Sequence, residues 1–402
     1  MFIDHKANPG YFYSRFKRII SPIILLLLIL PGCNQKMGNH ITEKNGCNLV
    51  VSGYGPEGKV EIKTETVLTG LEVPWSIAFL PDGDALVTER PGRLRLVRDI
   101  YNNAQLIPEP VITVQTAATA EGGLMGIALH PDFENNRLFY MYITTFEGDD
   151  IYNKVERYRL SENNTSAQSD RIIYREISAA RIHDGGRIHF GPDGMLYIGT
   201  GDASKSDRSQ EPQNPNGKLL RLTPEGEIPD DNPINDSPAW LTGIRNTQGF
   251  DWPGDNSVVW LVDHGPTGER LRFGHDEVNV ARAGDNLGWP PIYGCEIQDD
   301  MIPPILTWKD AVPPGGAAIY TGDAIPEWKG NLIVGTLRSR HLHRVVIENN
   351  ELVNHEVYLQ DEFGRLREVI MGNDGELYIT TSNCDGRGNC PEEGDKILRI
   401  TR

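Results

Sequence analysis

A short motif returns six times along this chain, and it limits the possible folds more than any other feature. Each copy is a turn rich in Pro, Asp or Gly, followed by a strand of largely alternating apolar residues. Leu80-Pro81-Asp82-Gly83 runs into Ala85–Glu89, and His130-Pro131-Asp132-Phe133 precedes Leu138–Ile143. Gly191-Pro192-Asp193-Gly194 leads to Met195–Thr200, and Trp252-Pro253-Gly254-Asp255 to Val258–Val262. Glu327-Trp328-Lys329-Gly330 and Gly372-Asn373-Asp374-Gly375 open the last two, before Leu332–Gly335 and Leu377–Thr380. The copies recur at roughly 45- to 75-residue intervals, the period of blades set around a channel. A second apolar segment follows each copy, as in Leu94–Val97 and Leu342–Val346, and predicts antiparallel pairing within a blade. The 42 glycines and 27 prolines disfavour long helices and suit short strands joined by turns. The expected fold is therefore all-β, a single six-bladed β-propeller of four-stranded antiparallel blades over residues 46–402. Two packed β-sandwiches are the rival. Extra length in the third to fifth intervals predicts loops above the channel mouth.

Residues 1–32 read differently. Arg15, Lys17 and Arg18 precede the apolar run Ile19–Leu30, the order of a secretory signal, and the run is short for a membrane span. Leu30-Pro31-Gly32-Cys33 resembles a bacterial lipoprotein signal, so Cys33 is expected to carry lipid, with 33–45 as a polar tether. The expected location is the periplasm or cell surface, tethered to a membrane. In such an oxidising compartment the other cysteines are expected to pair, Cys384 with Cys390 and Cys47 with Cys295. The formal net charge of −17 argues against a nucleic-acid partner, which would need a basic face.

In a propeller the inner strands bring their ends together at the axis, so polar residues next to several strands converge from distant sequence. His183, in His183-Asp184-Gly185-Gly186-Arg187, could act as a general base, or could be a surface-loop histidine. Arg245-Asn246 could hold an anion and a carbonyl together, or form a solvated turn. Asp263-His264-Gly265-Pro266, Asp276-Glu277-Val278-Asn279 and Gly284-Asp285-Asn286-Leu287-Gly288-Trp289-Pro290 form the densest group of oxygen donors, suited to calcium or to turn formation alone. Arg365, Arg367 and Arg338 could meet a polycarboxylate, or could be solvated. The chain lacks G-x-G-x-x-G, Walker A and G-x-S-x-G motifs, which removes the usual support for nicotinamide, P-loop and α/β-hydrolase chemistry.

Taken in order, these segments resemble the PQQ-dependent glucose and aldose sugar dehydrogenase (glucose/sorbosone dehydrogenase) family. The matching pieces begin with Glu121-Gly122-Gly123-Leu124-Met125-Gly126 and His183-Asp184-Gly185-Gly186-Arg187. They continue with Arg245-Asn246-Thr247-Gln248-Gly249, His264-Gly265-Pro266, Gly288-Trp289-Pro290 and Arg365-Leu366-Arg367-Glu368-Val369. The resemblance implies oxidation of an aldose at C1 to a lactone, with His183 taking the hydroxyl proton and Arg245 stabilising developing charge. It implies PQQ contacts from Glu121, Arg245, Asn246, His264, Arg338, Arg365 and Arg367, and a Ca2+ held by the carbonyls of Gly265 and Pro266. Electrons would leave to an external acceptor, a quinone or a cytochrome. The family's best-known members carry Gln at 121, Lys at 338 and, in the glucose enzymes, Asp at 182; here these are Glu121, Arg338 and Ile182. Other readings are a non-catalytic propeller that binds carbohydrate or protein, and a calcium-dependent lactonase-like hydrolase.

Overall fold

The computed structural model describes residues 41–402 apart from 45, 119 and 270. The expected signal segment, Cys33 and most of the expected tether lie outside the described residues. Six sheets, antiparallel within each blade, follow one another along the chain; the first five are entered by their first strand and left by their outer strands, and the last ends on its third. The first strands are Pro74–Phe79, Leu124–Leu129, Ile188–Phe190, Thr247–Asp251, Pro314–Ile319 and Leu366–Met371. Each packs beside the next, the third blade meeting Thr247–Asp251 through Leu196–Gly199, and Leu366–Met371 returns to Pro74–Phe79, so the ring closes around an axis. This is the six-bladed propeller the repeats predict.

The repeated motif has one place in every blade. Its turn joins the first strand to the second, and its apolar run is the second strand, as in Ala85–Glu89 and Leu377–Thr381. Alternation in these strands does not become one wet and one dry face. All five residues of Ala85–Glu89 are buried, because a blade is covered on both faces by its neighbours. The apolar core accordingly divides into six clusters, one at each blade-to-blade boundary. Burial at roughly 25 cal/mol per Å2 of apolar surface makes these boundaries the main source of cohesion.

The ring is fastened from the N-terminal side. Lys63–Leu71 supplies the outer strand of the last blade, antiparallel to Asp395–Thr401. Ahead of it, Ile41–Lys44 and Cys47–Val50 form a hairpin, and Cys47–Val50 runs parallel to Leu306–Trp308 at the edge of the fourth blade. That hairpin begins inside the segment read from sequence as tether. Cys47 bonds to Cys295 and Cys384 to Cys390, the two pairs expected.

Candidate active site

First strands start, and second strands end, at the same end of the ring, so residues bordering them gather there. A cavity of about 610 Å3 opens at that end, lined by Glu121, His183, Arg245, His264, Gly265, Arg338 and Arg365, among others. Seven of the residues to which the resemblance gives site roles therefore share one chamber. Asn246 lies just behind it: its side-chain oxygen accepts the N–H of Gly185 at 2.9 Å, and its amide nitrogen is 3.4 Å from His264 Nδ1. Arg367 lies deeper still, buried, donating to Gln248 Oε1 at 2.6 Å, with its guanidinium 5.4 Å from the Trp75 ring. Burial pulls its pKa down to about 9. Arg187 stacks on the same Trp75 ring at 4.5 Å and pairs with Glu368 at 2.5 Å, forming a floor beneath the chamber.

His183 is 4 % exposed and takes a left-handed backbone conformation, φ 65°. The paired glycines beside it serve the neighbouring strands. A Cβ at Gly185 would sit 2.4 Å from the Gly199 carbonyl, so only glycine lets the two segments meet. The backbone N–H of His183 donates to Glu121 Oε2 at 2.8 Å. Its Nδ1 lies 2.8 Å from Asp202 Oδ1. An ionised carboxylate can only accept, so Nδ1 carries a proton, and in the neutral ring the lone pair lies on Nε2. Asp202 is itself fixed, accepting the Trp289 indole N–H at 2.9 Å and the Ser204 N–H at 2.8 Å. With Ile182 at the preceding position, the ring is oriented from Asp202 instead.

His264 has no free nitrogen to offer. Its Nε2 lies 2.7 Å from the Pro314 carbonyl, which can only accept, and burial drives its pKa down to about 3. Of the two chamber histidines, only His183 keeps an unengaged ring nitrogen; its Nε2 is 3.7 Å from Glu269 Oε1. Glu269 in turn receives both Nε and NH2 of Arg245, at 2.9 and 2.5 Å.

The chamber is rich in guanidinium: Arg245, Arg338, Arg365 and Arg387 all line it. Arg365 is forked onto Asp385, at 2.9 and 2.8 Å, and Arg387 meets Glu121 at 2.8 Å. Arg338 lies 5.6 Å from the Phe273 ring. Such a donor set fits a polyanionic ligand, for which planar forks are the usual clamp.

The oxygen-rich segment divides in two. Its carboxylates face inward: Asp263 accepts the N–H groups of Arg245, Asn246 and His264, and Asp276 those of Gly265 and Val312. Asn286 is likewise used by the Gly288 N–H. The described residues hold no cluster of three acidic, His or Cys side chains able to bind a metal. What remains is the backbone. The carbonyls of Gly265 and Pro266 each accept one loop N–H, from Thr267 at 2.9 Å and Glu269 at 3.0 Å, leaving each a second lone pair. Carbonyl oxygens suit a hard cation such as calcium, completed by oxygens from a ligand and water. Gly265 lines the chamber, and Pro266 follows it in the loop.

Sequence reading missed Asp202, Glu269 and Arg387 as site residues, and named Trp289 only as part of a matching motif. Asp202 could have been found, since it lies just past the third repeat, where axial side chains were expected. Arg387 was hidden in the stapled loop, far in sequence from everything it meets.

A family model described as Glucose / Sorbosone dehydrogenase matches residues 71–398. The chain is 31 % identical over 348 residues to aldose sugar dehydrogenase YliI of Escherichia coli, covering 81 % of this chain and 91 % of that one. Among solved structures it resembles an oxidoreductase (glucose dehydrogenase) of Thermus thermophilus, at 39 % identity and TM-score 0.77. That match covers 85 % of this chain and all (100 %) of the other. It also resembles the PQQ-bound aldose sugar dehydrogenase of Streptomyces coelicolor, at 34 % identity and TM-score 0.75, covering 86 % of this chain and 99 % of that one.

Proposed function

We propose, from the premise that this chain belongs to the glucose/sorbosone dehydrogenase family, that it oxidises aldose sugars at C1 to lactones with PQQ and Ca2+. The observation that carries this reading is the chamber itself, where a histidine with one free ring nitrogen faces four arginines. PQQ, when bound, supplies the two-electron acceptor for the hydride leaving C1, and calcium polarises it.

The protein's part is binding, orientation and proton transfer. Arg338 and Arg365 offer charge to the cofactor's carboxylates, and Arg367 and His264 support the chamber from beneath and beside it. The second lone pairs of the Gly265 and Pro266 carbonyls would hold the cation. His183 Nε2 takes the C1 hydroxyl proton, while Asp202 keeps the opposite nitrogen protonated and stabilises the imidazolium that forms. Arg245, released from Glu269 or still joined to it, places positive charge where negative charge develops, with Asn246 behind it.

The N-terminal signal and Cys33 support export to the periplasm or cell surface and a lipid tether, and the two disulfides are consistent with that compartment. Electrons would then pass to an external quinone or cytochrome.

The test uses the purified apo-protein reconstituted with PQQ and Ca2+, given aldoses and a dye acceptor. Sugar-dependent dye reduction that disappears in His183→Ala is the expected result. Failure of PQQ to bind a folded protein would refute the reading, and lactone hydrolysis without PQQ would point to the hydrolase instead.

A further inference from the structure

An acid faces a chamber built for an anion. Glu121 lines the cavity, and its Oε2 is used inward, accepting the His183 N–H at 2.8 Å. Unopposed, that carboxylate would repel a polyanion and cancel part of the arginine field around it. It is not unopposed. Its Oε1 is met at 2.8 Å by NH1 of Arg387, which also lines the cavity and arrives from 266 residues away in sequence.

Arg387 is delivered by a fixed loop. Cys384 and Cys390 close its ends, and Asp385 locks it to the chamber wall through the fork with Arg365. Asp385 Oδ1 also accepts the backbone N–H of Arg387 at 2.8 Å, so the anchor sets the course of the chain at the arginine itself. The Arg387 side chain remains half exposed, so its pairing with Glu121 does not come from burial.

We propose that Arg387 is a charge-compensating residue that lets Glu121 position His183 without repelling an anionic cofactor, the stapled loop serving to hold it there. Glu121 and Arg387 then act as one unit, and the inference rests on the dehydrogenase reading above. It predicts an asymmetry between the two partners. Removing the arginine leaves a bare carboxylate in the chamber. Removing the charge of the glutamate leaves an amide oxygen that can still accept the His183 N–H.

The test is equilibrium titration of the apo-protein with PQQ at fixed Ca2+, followed by the cofactor's absorbance, so the readout is affinity and not turnover. Arg387→Ala is expected to weaken binding on the order of tenfold, the effect of one unit charge about 12 Å away at an effective dielectric of about 20. The loss should shrink as salt is raised. Glu121→Gln should bind at least as tightly as the unsubstituted protein. The double substitution should recover to within about threefold of it, because the charge needing compensation is gone. Arg387→Lys, which keeps the charge, should stay close to the unsubstituted protein and guards against a loop defect in the alanine variant. A double variant as weak as Arg387→Ala would overturn the proposal, as would an alanine variant that binds normally or a lysine variant that binds as weakly as alanine. If the unsubstituted, folded protein binds no PQQ, the dehydrogenase reading fails and takes this inference with it. Binding by that protein with the wrong variant pattern sinks only the inference.

Discussion

Asparagine in place of Asp202 would change one atom and remove the charge that orients His183. The carboxylate accepts on both oxygens: Oδ1 takes His183 Nδ1–H and the Ser204 N–H, and Oδ2 takes the Trp289 indole N–H. An amide cannot satisfy this set in either orientation. With its oxygen toward His183, its NH2 confronts the indole N–H, donor against donor. Turned over, its NH2 faces His183 Nδ1, which must then give up its proton and move it to Nε2, the nitrogen that has to accept. Loss of a hydrogen bond to a charged group is worth about 1.5–3 kcal/mol. At about 1.36 kcal/mol per decade this is about 10- to 150-fold in kcat. The turned-over state would cost more, since the wrong tautomer in a comparable triad lowers kcat by about 10⁴. Asp202 is 1 % exposed and does not line the chamber, so sugar KM should move little. Steady-state dye reduction with reconstituted Asp202→Asn, beside a thermal melt, measures both quantities. A folded variant whose kcat stays within about twofold of the original, or whose loss lies wholly in KM, would refute the assignment of His183 as a base oriented by Asp202.

Two further predictions concern stability. Glu368→Ala strands Arg187 in the floor of the chamber, where both side chains are 2 % exposed, and is expected to cost about 3–5 kcal/mol in urea unfolding. The buried chain His341, His343 and His355, linked at 3.0 and 3.1 Å, should make the fold acid-sensitive; burial depresses His341 and His355 to about 4 and His343 further. The unfolded state then binds more protons than the native one, so stability should fall as pH drops from about 6.5 towards 4, and His343→Leu should flatten that slope if it folds.

How far the fold could be read depended on where each strand lies. The second strands were legible, because they are covered on both faces and need apolar residues at nearly every position, as in Leu332–Thr336. The inner strands were not. Thr247–Asp251 reads T-Q-G-F-D, with no apolar period, yet four of its five residues are buried. Strands converge near the axis, and a Cβ at Gly249 would lie 2.4 Å from the Ala317 backbone nitrogen, so closeness there selects glycine over a hydrophobic side chain. The site was legible in the same uneven way. His183, Arg245 and Arg365 border strand starts and could be found by that rule. Glu269 and Arg387 lie on loops whose positions are set by contacts with other blades, and local pattern carries no trace of those.

The oxygen-rich stretch shows why a count of donors misleads in this fold. At the chamber end, strands leave their ladders so that side chains can face the axis, and backbone N–H groups lose their usual partners. One buried carboxylate can satisfy several of them. Asp263 takes three, from the start of one strand and the end of the next, and Asp395 does the same for Val73, Asn383 and Cys384 where the last blade meets the first. Burial outweighs these bonds for Asp263 and Asp276 and lifts both pKa values to about 6. Deprotonation therefore works against the fold at neutral pH, and the N–H groups offset part of that cost. Acids spent this way cannot also face a cation. On the calcium reading, the carbonyls of Gly265 and Pro266 are left to do so, and the backbone at Arg245, Asn246 and His264 is held by the carboxylate packed behind it.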